Sequence, residues 1–228
     1  MKIHAALLGA TGLLVAFSVT PSSAATNLIT NGSFESGFSG WTLGGTESQG
    51  YPAVVIDYNS ATPYPSGAFG EAVPPVLGSA SPDPVGSHAA YFVSDFASET
   101  LTQTIYLTPG YYTIGFSAEA PANGYANSGD AYFTASIAGV GLASYAVSAG
   151  PGATWQNFNG YVNILTAGNY DATFTFNTNA FPSKDIVIDE AYVVAGVPEA
   201  STWAMMGLGF AALAFAGYRS RRGAPSIA

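Results

Sequence analysis

The middle of the chain is predicted to fold as an all-β sandwich of two sheets, and three observations support this. Short runs rich in Val, Ile, Thr, Tyr and Phe alternate with Gly, Pro, Asn and Ser, which is the pattern of strands and turns. Helical periodicity is nearly absent. Eight or nine such runs without helices between them favour two packed sheets.

The first segment of the chain, residues 1–25, has the pattern of a signal peptide. Lys2 precedes an apolar run at residues 5–19, and Ser23, Ala24 and Ala25 are the small residues that a signal peptidase requires. We therefore expect an exported protein whose mature form begins near Ala25 or Thr26.

Residues 26–196 form the predicted β-sandwich domain, which is large enough to bury a core. In the run at residues 169–176, apolar and polar side chains alternate as in a half-buried strand. A Pro109-Gly110 turn predicts that the runs on either side of it pair as a hairpin. The predicted strands cover residues 53–58, 88–93, 101–107, 111–118, 131–137, 142–146, 155–163, 169–176 and 185–194.

Two segments of this domain are predicted to be loops. Residues 62–86 contain six prolines, which remove backbone donors and so prevent regular strand pairing. Residues 123–130 are rich in Asn and Gly and include Tyr125. Loops as long as the first one are often functional, although a passive surface loop is the alternative.

The charge of residues 26–196 excludes some functions. This segment has 13 acidic residues against Lys184 alone, a net charge of −12, and it has no cysteine. A domain with one lysine and no arginine cannot neutralise phosphates, so nucleic-acid binding is excluded. The absence of cysteine excludes disulfides and thiolate chemistry. The acidic surface favours solubility and the attraction of cations such as calcium.

The C-terminal segment, residues 197–222, has three parts. Val197, Pro198 and Glu199 begin it, an apolar stretch at residues 203–218 follows, and a basic end closes it. The basic residues are Arg219, Arg221 and Arg222.

This order resembles the PEP-CTERM sorting segment of Gram-negative bacteria, in which a Pro-Glu-Pro box precedes a hydrophobic helix and an arginine-rich end that an exosortase recognises. Ala200 replaces the second proline of the box. The resemblance implies a transmembrane helix with its basic end in the cytoplasm and delivery to the cell envelope or extracellular matrix. The alternative is an ordinary single-pass anchor, although the apolar stretch is short for a spanning helix. Residues 223–228 are a short tail.

A second resemblance lies at the two ends of the sandwich domain. Residues 27–35, Asn-Leu-Ile-Thr-Asn-Gly-Ser-Phe-Glu, are followed by Gly40-Trp41, and Ile188-Asp189-Glu190 lies in the last predicted strand. These motifs resemble those of carbohydrate-binding modules with a jelly-roll fold. The resemblance implies a two-sheet jelly roll and a structural Ca²⁺ held by Glu35 and Asp189. Glu190 replaces the family's second aspartate, which matters little if its side chain points outward.

The same resemblance implies a structural or exopolysaccharide-associating role, with exposed aromatic side chains as sugar platforms. The loop residues Tyr51, Tyr64 and Tyr125 are the best candidates. The alternatives are that these tyrosines are plain surface residues, and that Glu35 and Asp189 are a turn residue and a solvated strand residue.

Catalysis is not expected. Between residues 26 and 196 the chain has one histidine, His88, and no nucleophile-elbow, zinc or phosphate-loop motif. Two alternatives remain open. A polysaccharide-acting hydrolase or lyase could use a pair among the many acids, and a structural surface protein would bind no ligand.

Overall fold

The computed structural model describes residues 25–196 and 200–222, and in the last helix it describes the side chains of residues 205–215 and 218. Nearly all of the predicted signal peptide, the motif residues Val197, Pro198 and Glu199, and the tail at 223–228 lie outside the described residues. The same is true of the side chains of Arg219, Arg221 and Arg222.

The described chain contains ten strands, two helices and one 3₁₀ turn. They are β1 Thr42–Thr46, β2 Val54–Asp57, β3 His88–Phe92, β4 Ser98–Leu107, β5 Gly110–Glu119, α1 Ala122–Tyr125, β6 Ala131–Ile137, β7 Val140–Ala146, the 3₁₀ turn Val147–Ala149, β8 Gln156–Ile164, β9 Gly168–Thr178, β10 Ile186–Ala195 and α2 Ala200–Arg222.

The strands form two five-stranded sheets, and all neighbouring strands are antiparallel. Sheet A has the order β1-β4-β9-β6-β7, and sheet B has the order β2-β3-β10-β5-β8. The predicted all-β, two-sheet jelly-roll sandwich is therefore confirmed, and each of the nine predicted strands corresponds to an observed one.

The main core lies between the two sheets and is rich in aromatic rings. Phe116 of sheet B contacts Phe133 and Phe174 of sheet A, with ring centroids 5.0 Å and 6.4 Å apart. In the part of the chain that the structure describes, every buried hydrophobic side chain lies between Ile29 and Val193. Residues 26–196 therefore contain their own core, which is what a domain that folds by itself requires.

The prediction that the runs on either side of Pro109-Gly110 pair as a hairpin is wrong. β4 pairs with β1 and β9 in sheet A, whereas β5 pairs with β8 and β10 in sheet B, so the chain crosses between the sheets at this corner. The Tyr112 hydroxyl fixes the corner, because it donates to the carbonyl of Thr108 at 3.0 Å and accepts the N–H of the same residue at 3.1 Å.

The long segment at residues 62–86 covers part of the outer face of sheet B. As predicted it contains no strand or helix, apart from an isolated bridge between Ala68 and Glu71. Its apolar residues pack on outward-facing side chains of β2, β3 and β10 and form a second, smaller core. The members of this cluster are Ile56, Tyr58, Ala68, Val73, Val76, Ala89, Tyr91 and Val187.

The C-terminal helix α2 includes the predicted apolar stretch, and its described side chains are exposed. Within residues 25–196 and 200–222, none of the helices combines the length and the apolar character needed to cross a membrane.

Candidate functional site

A cleft of about 380 Å³ opens at one end of the sandwich. It lies where β3 and β5 end and β10 begins, so loops that are far apart in sequence meet there. The residues that line it are Gln49, Tyr51, Phe69, Val93, Asp95, Asn123, Gly124, Asn127, Ser183 and Asp185.

One wall of the cleft is aromatic. Tyr51 and Phe69 are 42% and 49% exposed, so part of each ring is accessible to a ligand in the cleft. Tyr64 holds both of them. Its ring stacks on Phe69 with centroids 5.6 Å apart and meets the Tyr51 ring edge-on at 5.2 Å, while its hydroxyl donates to the carbonyl of Pro52 at 2.8 Å. Tyr64 therefore positions the exposed rings.

Asp95 ties two of the loops together. Its Oδ2 accepts a hydrogen bond from the Gln49 side-chain amide at 2.8 Å, and its backbone N–H donates to the carbonyl oxygen of the same amide at 2.8 Å. Its Oδ1 accepts the N–H of Ser183 at 2.5 Å. These bonds fix the position of the loop that carries Tyr51.

Asp185 lies at the floor of the cleft and is only 6% exposed. The Tyr91 hydroxyl donates to its Oδ2 at 2.6 Å. Burial raises the pKa of Asp185 to about 7, the Tyr91 hydrogen bond opposes this shift, and the charges of Asp95 and Glu71 add to it. Gly124 packs against the carboxyl group, because a Cβ at that position would lie 2.6 Å from it. Asp185 is therefore a buried carboxyl group that lines the cleft.

The structure places the three candidate tyrosines differently. Tyr51 lines the cleft and Tyr64 supports its wall, as described above. Tyr125 lies in α1, packs partly buried against the main core and donates from its hydroxyl to the carbonyl of Gly150 at 3.0 Å. It does not line the cleft, although the ammonium group of Lys184 lies 4.7 Å from its ring centroid.

Phe69, Asp95 and Asp185 are among the residues lining this cleft that the sequence did not single out. Phe69 has a weak signal, since it is an aromatic residue between glycines in a proline-rich loop. The two aspartates have none, because they are 90 positions apart and only the fold brings them to one place.

The predicted metal ligands Glu35 and Asp189 lie near each other but have different partners. Glu35 accepts the backbone N–H groups of Ser87 and His88, both at 2.7 Å, and contacts the His88 imidazole at 3.1 Å. Burial raises the pKa of Glu35, but the hydrogen bonds from His88 and Ser87 outweigh it, and the net pKa is below the ordinary value. Asp189 is fully buried and accepts hydrogen bonds from the Tyr58 hydroxyl and the N–H of Glu190.

Glu190 does not point outward as expected. It is 1% exposed and follows Asp189 at an irregularity in the pairing of β10 with β5, with a positive φ of 54°. That irregularity shifts the alternation of side chains along the strand and turns Glu190 under the long segment. Burial raises the pKa of Glu190 despite the nearby hydroxyls of Ser79 and Ser81, and neither carboxyl oxygen has a hydrogen bond of normal geometry.

This region meets the requirements of a calcium site in part. Asp189 and Glu190 supply buried carboxyl oxygens. Burial raises the pKa of Asp189 to about 8, although hydrogen bonds from Tyr58 and from the N–H of Glu190 oppose the shift. The charges of Glu190 and Glu35 add to it. A bound cation would neutralise the ionised carboxylates of Asp189 and Glu190 and so offset the cost of burying them. However, the described residues contain no group of three or more His, Cys, Asp and Glu residues close enough to hold a metal. Backbone carbonyls would have to complete the ligand set.

A second, smaller groove of about 230 Å³ lies between β1 and residues 52–53. Glu99 lines it and is 6% exposed, with one carboxyl oxygen bonded to the N–H of Ala53 at 2.8 Å and the other without a partner among the described residues. Burial raises the pKa of Glu99 to about 7, although the bond from Ala53 opposes the shift.

The described residues therefore form a jelly-roll sandwich with a cleft at the end where its loops meet, the loop-end cleft. Residues 196–222 match the PEP-CTERM protein-sorting motif. This motif implies that the protein is exported and is processed by an exosortase at its C-terminal end. The recognition of that motif from the sequence is confirmed.

Comparison with solved structures gives several similar chains. The carbohydrate-binding module TmCBM61, solved with β-1,4-galactotriose, has 20% identity and a TM-score of 0.47, and the match covers 75% of this chain and 99% of that one. The enzymatically active domain of bacteriophage CBA120 tailspike protein 4 has 16% identity and a TM-score of 0.47, over 75% and 21% of the two chains. A family 16 carbohydrate-binding module has 15% identity and a TM-score of 0.44, over 74% and 99%. Comparison with curated protein sequences gives no match.

Proposed function

We propose that this protein is an exported surface or extracellular-matrix protein that associates with exopolysaccharide through the loop-end cleft. The observation that carries this proposal is the wall of exposed rings, Tyr51 and Phe69 held by Tyr64, facing the buried carboxyl group of Asp185. A sugar ring has apolar C–H faces and hydroxyl edges, so it needs an aromatic surface next to polar acceptors. The side chain of Asn123 adds an exposed amide to the same cleft.

The route of the protein follows from the motif and from the remaining expectations. We infer that a signal peptidase removes residues 1–25 and that the C-terminal segment then holds the chain transiently at the inner membrane of a Gram-negative cell, with the arginines on the cytoplasmic side, although α2, over the residues that the structure describes, does not have the length and apolar character of a spanning helix. An exosortase then processes the tail, and the domain reaches the envelope or a biofilm matrix. A role in binding rather than in catalysis suits a domain whose one histidine, His88, is held between Glu35 and Asp57.

Binding of neutral oligosaccharides tests this function. The probe is a panel of neutral pentasaccharides, and the binding of residues 26–196 is measured by isothermal titration calorimetry. We expect Phe69→Ala and Tyr64→Ala each to weaken the affinity of the best ligand about tenfold, because each removes a contact worth about 1–1.5 kcal/mol. The matched control is Tyr106→Ala, which removes a 63% exposed ring from the outer face of sheet A. Equal affinities in all four proteins would contradict the cleft as the site.

We also propose a structural Ca²⁺ held by Glu35 and Asp189 together with backbone carbonyls, with the buried Glu190 as a further carboxylate. The support is the concentration of carboxyl groups at this place, two of them buried, without a basic side chain to pair with Asp189 or Glu190: the one lysine of the domain donates to the carbonyls of Tyr125 and Asn127. Such an ion would join the first segment of the domain to its last strand.

A polysaccharide-acting hydrolase or lyase is the second candidate function, and one observation favours it. Asp185 combines a location in a cleft with a pKa that burial raises to about 7, which is typical of a general acid. Release of reducing ends from a polysaccharide that the domain binds, lost in Asp185→Asn, would establish this activity. Absence of both turnover and binding would favour a structural protein without a ligand.

A further inference from the structure

The loop-end cleft contains an excess of acidic groups. Asp95 and Asp185 line it, and the charge of Glu71 acts on both Asp185 and Glu119. Glu119 is 2% exposed and one of its carboxyl oxygens has no partner in the part of the chain that the structure describes. Burial, followed by the charge of Glu71, raises the pKa of Glu119 to about 7. Burial therefore disfavours the ionised forms of Asp185 and Glu119, and a cation bound in the cleft would favour them.

The protein does not neutralise this charge itself. Lys184 is the only basic side chain besides His88 between residues 26 and 196. It precedes Asp185 in sequence, but its ammonium group donates to the backbone carbonyls of Tyr125 and Asn127 and lies against the Tyr125 ring. This lysine is thus committed to holding α1 in place and is not a counter-ion for Asp185.

Asp185 also retains a free acceptor. Its Oδ2 takes the Tyr91 hydroxyl, while the structure gives its Oδ1 no hydrogen bond among the described residues. The residue is more than nine-tenths buried and still lines the cleft. A buried carboxylate with an unused oxygen and no counter-ion is destabilised, and a ligand cation would remove that cost.

We infer that the cleft selects saccharides that carry a free amine, with the ammonium group bound at Asp185 and the sugar ring against Tyr51 and Phe69. This inference rests on the proposed function and names the class of its ligand. The exposed amide of Asn123 lies in the same cleft and offers a further oxygen acceptor to the ammonium group.

The same features argue against the other classes of polysaccharide. A uronic acid would place a third carboxylate beside Asp95 and Asp185, with no arginine or free lysine to bind it. An N-acetylated amino sugar has lost its charge and offers no neutralisation of Asp185. Neutral sugars keep only the aromatic and hydroxyl contacts, so they should bind more weakly than amines.

The test compares pentasaccharides of equal length on the wild-type domain, residues 26–196, by calorimetry near neutral pH. The probes are the oligomers of glucosamine, of N-acetylglucosamine, of glucose and of galacturonate. At about 150 mM NaCl, where the screening length is about 8 Å, long-range attraction is reduced. We expect the glucosamine oligomer to bind at least about tenfold more tightly than the acetylated one, because a charge-assisted contact is added.

Two variants locate the effect. Asp185→Asn keeps the shape of the side chain and should reduce the preference for the glucosamine oligomer over the acetylated one to near unity. Asp171→Asn is the matched control, since it removes the same charge from an exposed position on sheet A where the Asp171 side chain accepts the Thr104 hydroxyl. A pentalysine peptide controls for general attraction of polycations to the acidic domain.

The outcomes separate the two proposals. If neutral or acetylated oligomers bind as tightly as the amine, the inference is wrong and the proposed function stands. If pentalysine binds as well as the glucosamine oligomer, or if Asp171→Asn lowers the preference as much as Asp185→Asn, general electrostatics explains the preference and the inference is overturned. If no oligosaccharide binds, both proposals fail. The comparison of the four oligomers on the wild-type domain tests the inference even if Asp185→Asn does not fold.

Discussion

Glu35 and Asp189 show how two carboxyl groups in one region acquire opposite properties. Glu35 is partly exposed and is surrounded by N–H and hydroxyl donors, so its net pKa lies below the ordinary value despite burial. Asp189 has the Tyr58 hydroxyl and one N–H, but it is fully buried, and burial raises its pKa to about 8. Asp189 is therefore the group that gains most from a bound cation.

Calcium should stabilise the domain through this group. We expect added Ca²⁺ to raise the Tm of residues 26–196 over the value in chelator, because an ion at 100 times its Kd contributes about 2.7 kcal/mol. Glu35→Gln and Asp189→Asn should each abolish the rise, whereas the control Asp57→Asn, an exposed carboxylate next to His88, should keep it. Differential scanning calorimetry measures all four proteins. A Tm that calcium does not change would remove the metal site.

A position in a loop is a local signal that the sequence provides, whereas the ligand role of a residue in such a loop stays a prediction. Tyr51 and Tyr64 were predicted from their position in loops rich in Gly and Pro, and the structure brings their rings together. Tyr125 shares that local signal, yet α1 forms there and turns its ring toward the core. Asp185 could not be predicted, because its acceptor role depends on Tyr91, 94 positions away.

At the scale of the element, β1 is the strand that the sequence does not predict. It consists of Thr42–Thr46 and contains Gly44 and Gly45, and glycine weakens a strand pattern. The structure explains Gly45. Its φ is +90°, and a Cβ there would lie 1.8 Å from the carbonyl oxygen of Ser98 on β4. Glycine at position 45 is therefore required for β1 to pair with β4 as the edge strand of sheet A.

Substitution of this glycine should detach the edge strand. We expect Gly45→Ala to lower the free energy of unfolding by at least about 3 kcal/mol, because a left-handed backbone strain of about 1–2 kcal/mol adds to the overlap with Ser98. Gly37→Ala is the matched control, since Gly37 also has a positive φ but no atom within 4 Å of the added Cβ. Urea unfolding compares the two. Equal losses would mean that the contact with β4 is unimportant.

The predicted hairpin shows why pairing is harder to predict than strands. The runs that became β4 and β5 were correctly identified, and the turn at Pro109-Gly110 suits a hairpin. Both strands, however, bury a full apolar face, and the two faces can pack against each other only from opposite sheets. The choice between pairing and crossing therefore depends on β9 and β10, which come much later in the chain.

At the scale of the whole molecule, the domain is strongly acidic and several of its acidic side chains are buried. Few of the acids have a basic partner, and several are buried by the loops at the edges of the sandwich. Burial raises the pKa of Asp185, Glu99 and Glu119 to about 7. The charge of the protein and the pH dependence of its stability are therefore set largely by the positions of these loops.

The stability of the domain in chelator should fall as the pH rises from about 5 to about 8. Buried acids with raised pKa values bind protons more tightly in the folded state than in the unfolded chain, where the ordinary pKa is about 4. The folded state therefore holds more protons in this range, and ionisation at higher pH costs stability. Glu35 and Asp130 act in the opposite direction, since their pKa values are lowered, but their contribution is lost only below about pH 4.5. Maximum stability is expected near pH 5.

Urea unfolding across this pH range measures the effect. A shift of one pKa unit corresponds to about 1.4 kcal/mol, so several such groups together should lower the free energy of unfolding by at least about 3 kcal/mol between the two ends. Glu119→Gln should flatten the slope, because it removes one of the titrating groups. Stability that stays constant or rises toward pH 8 would mean that these carboxyl groups are ionised in the folded domain, with water or a cation compensating their burial.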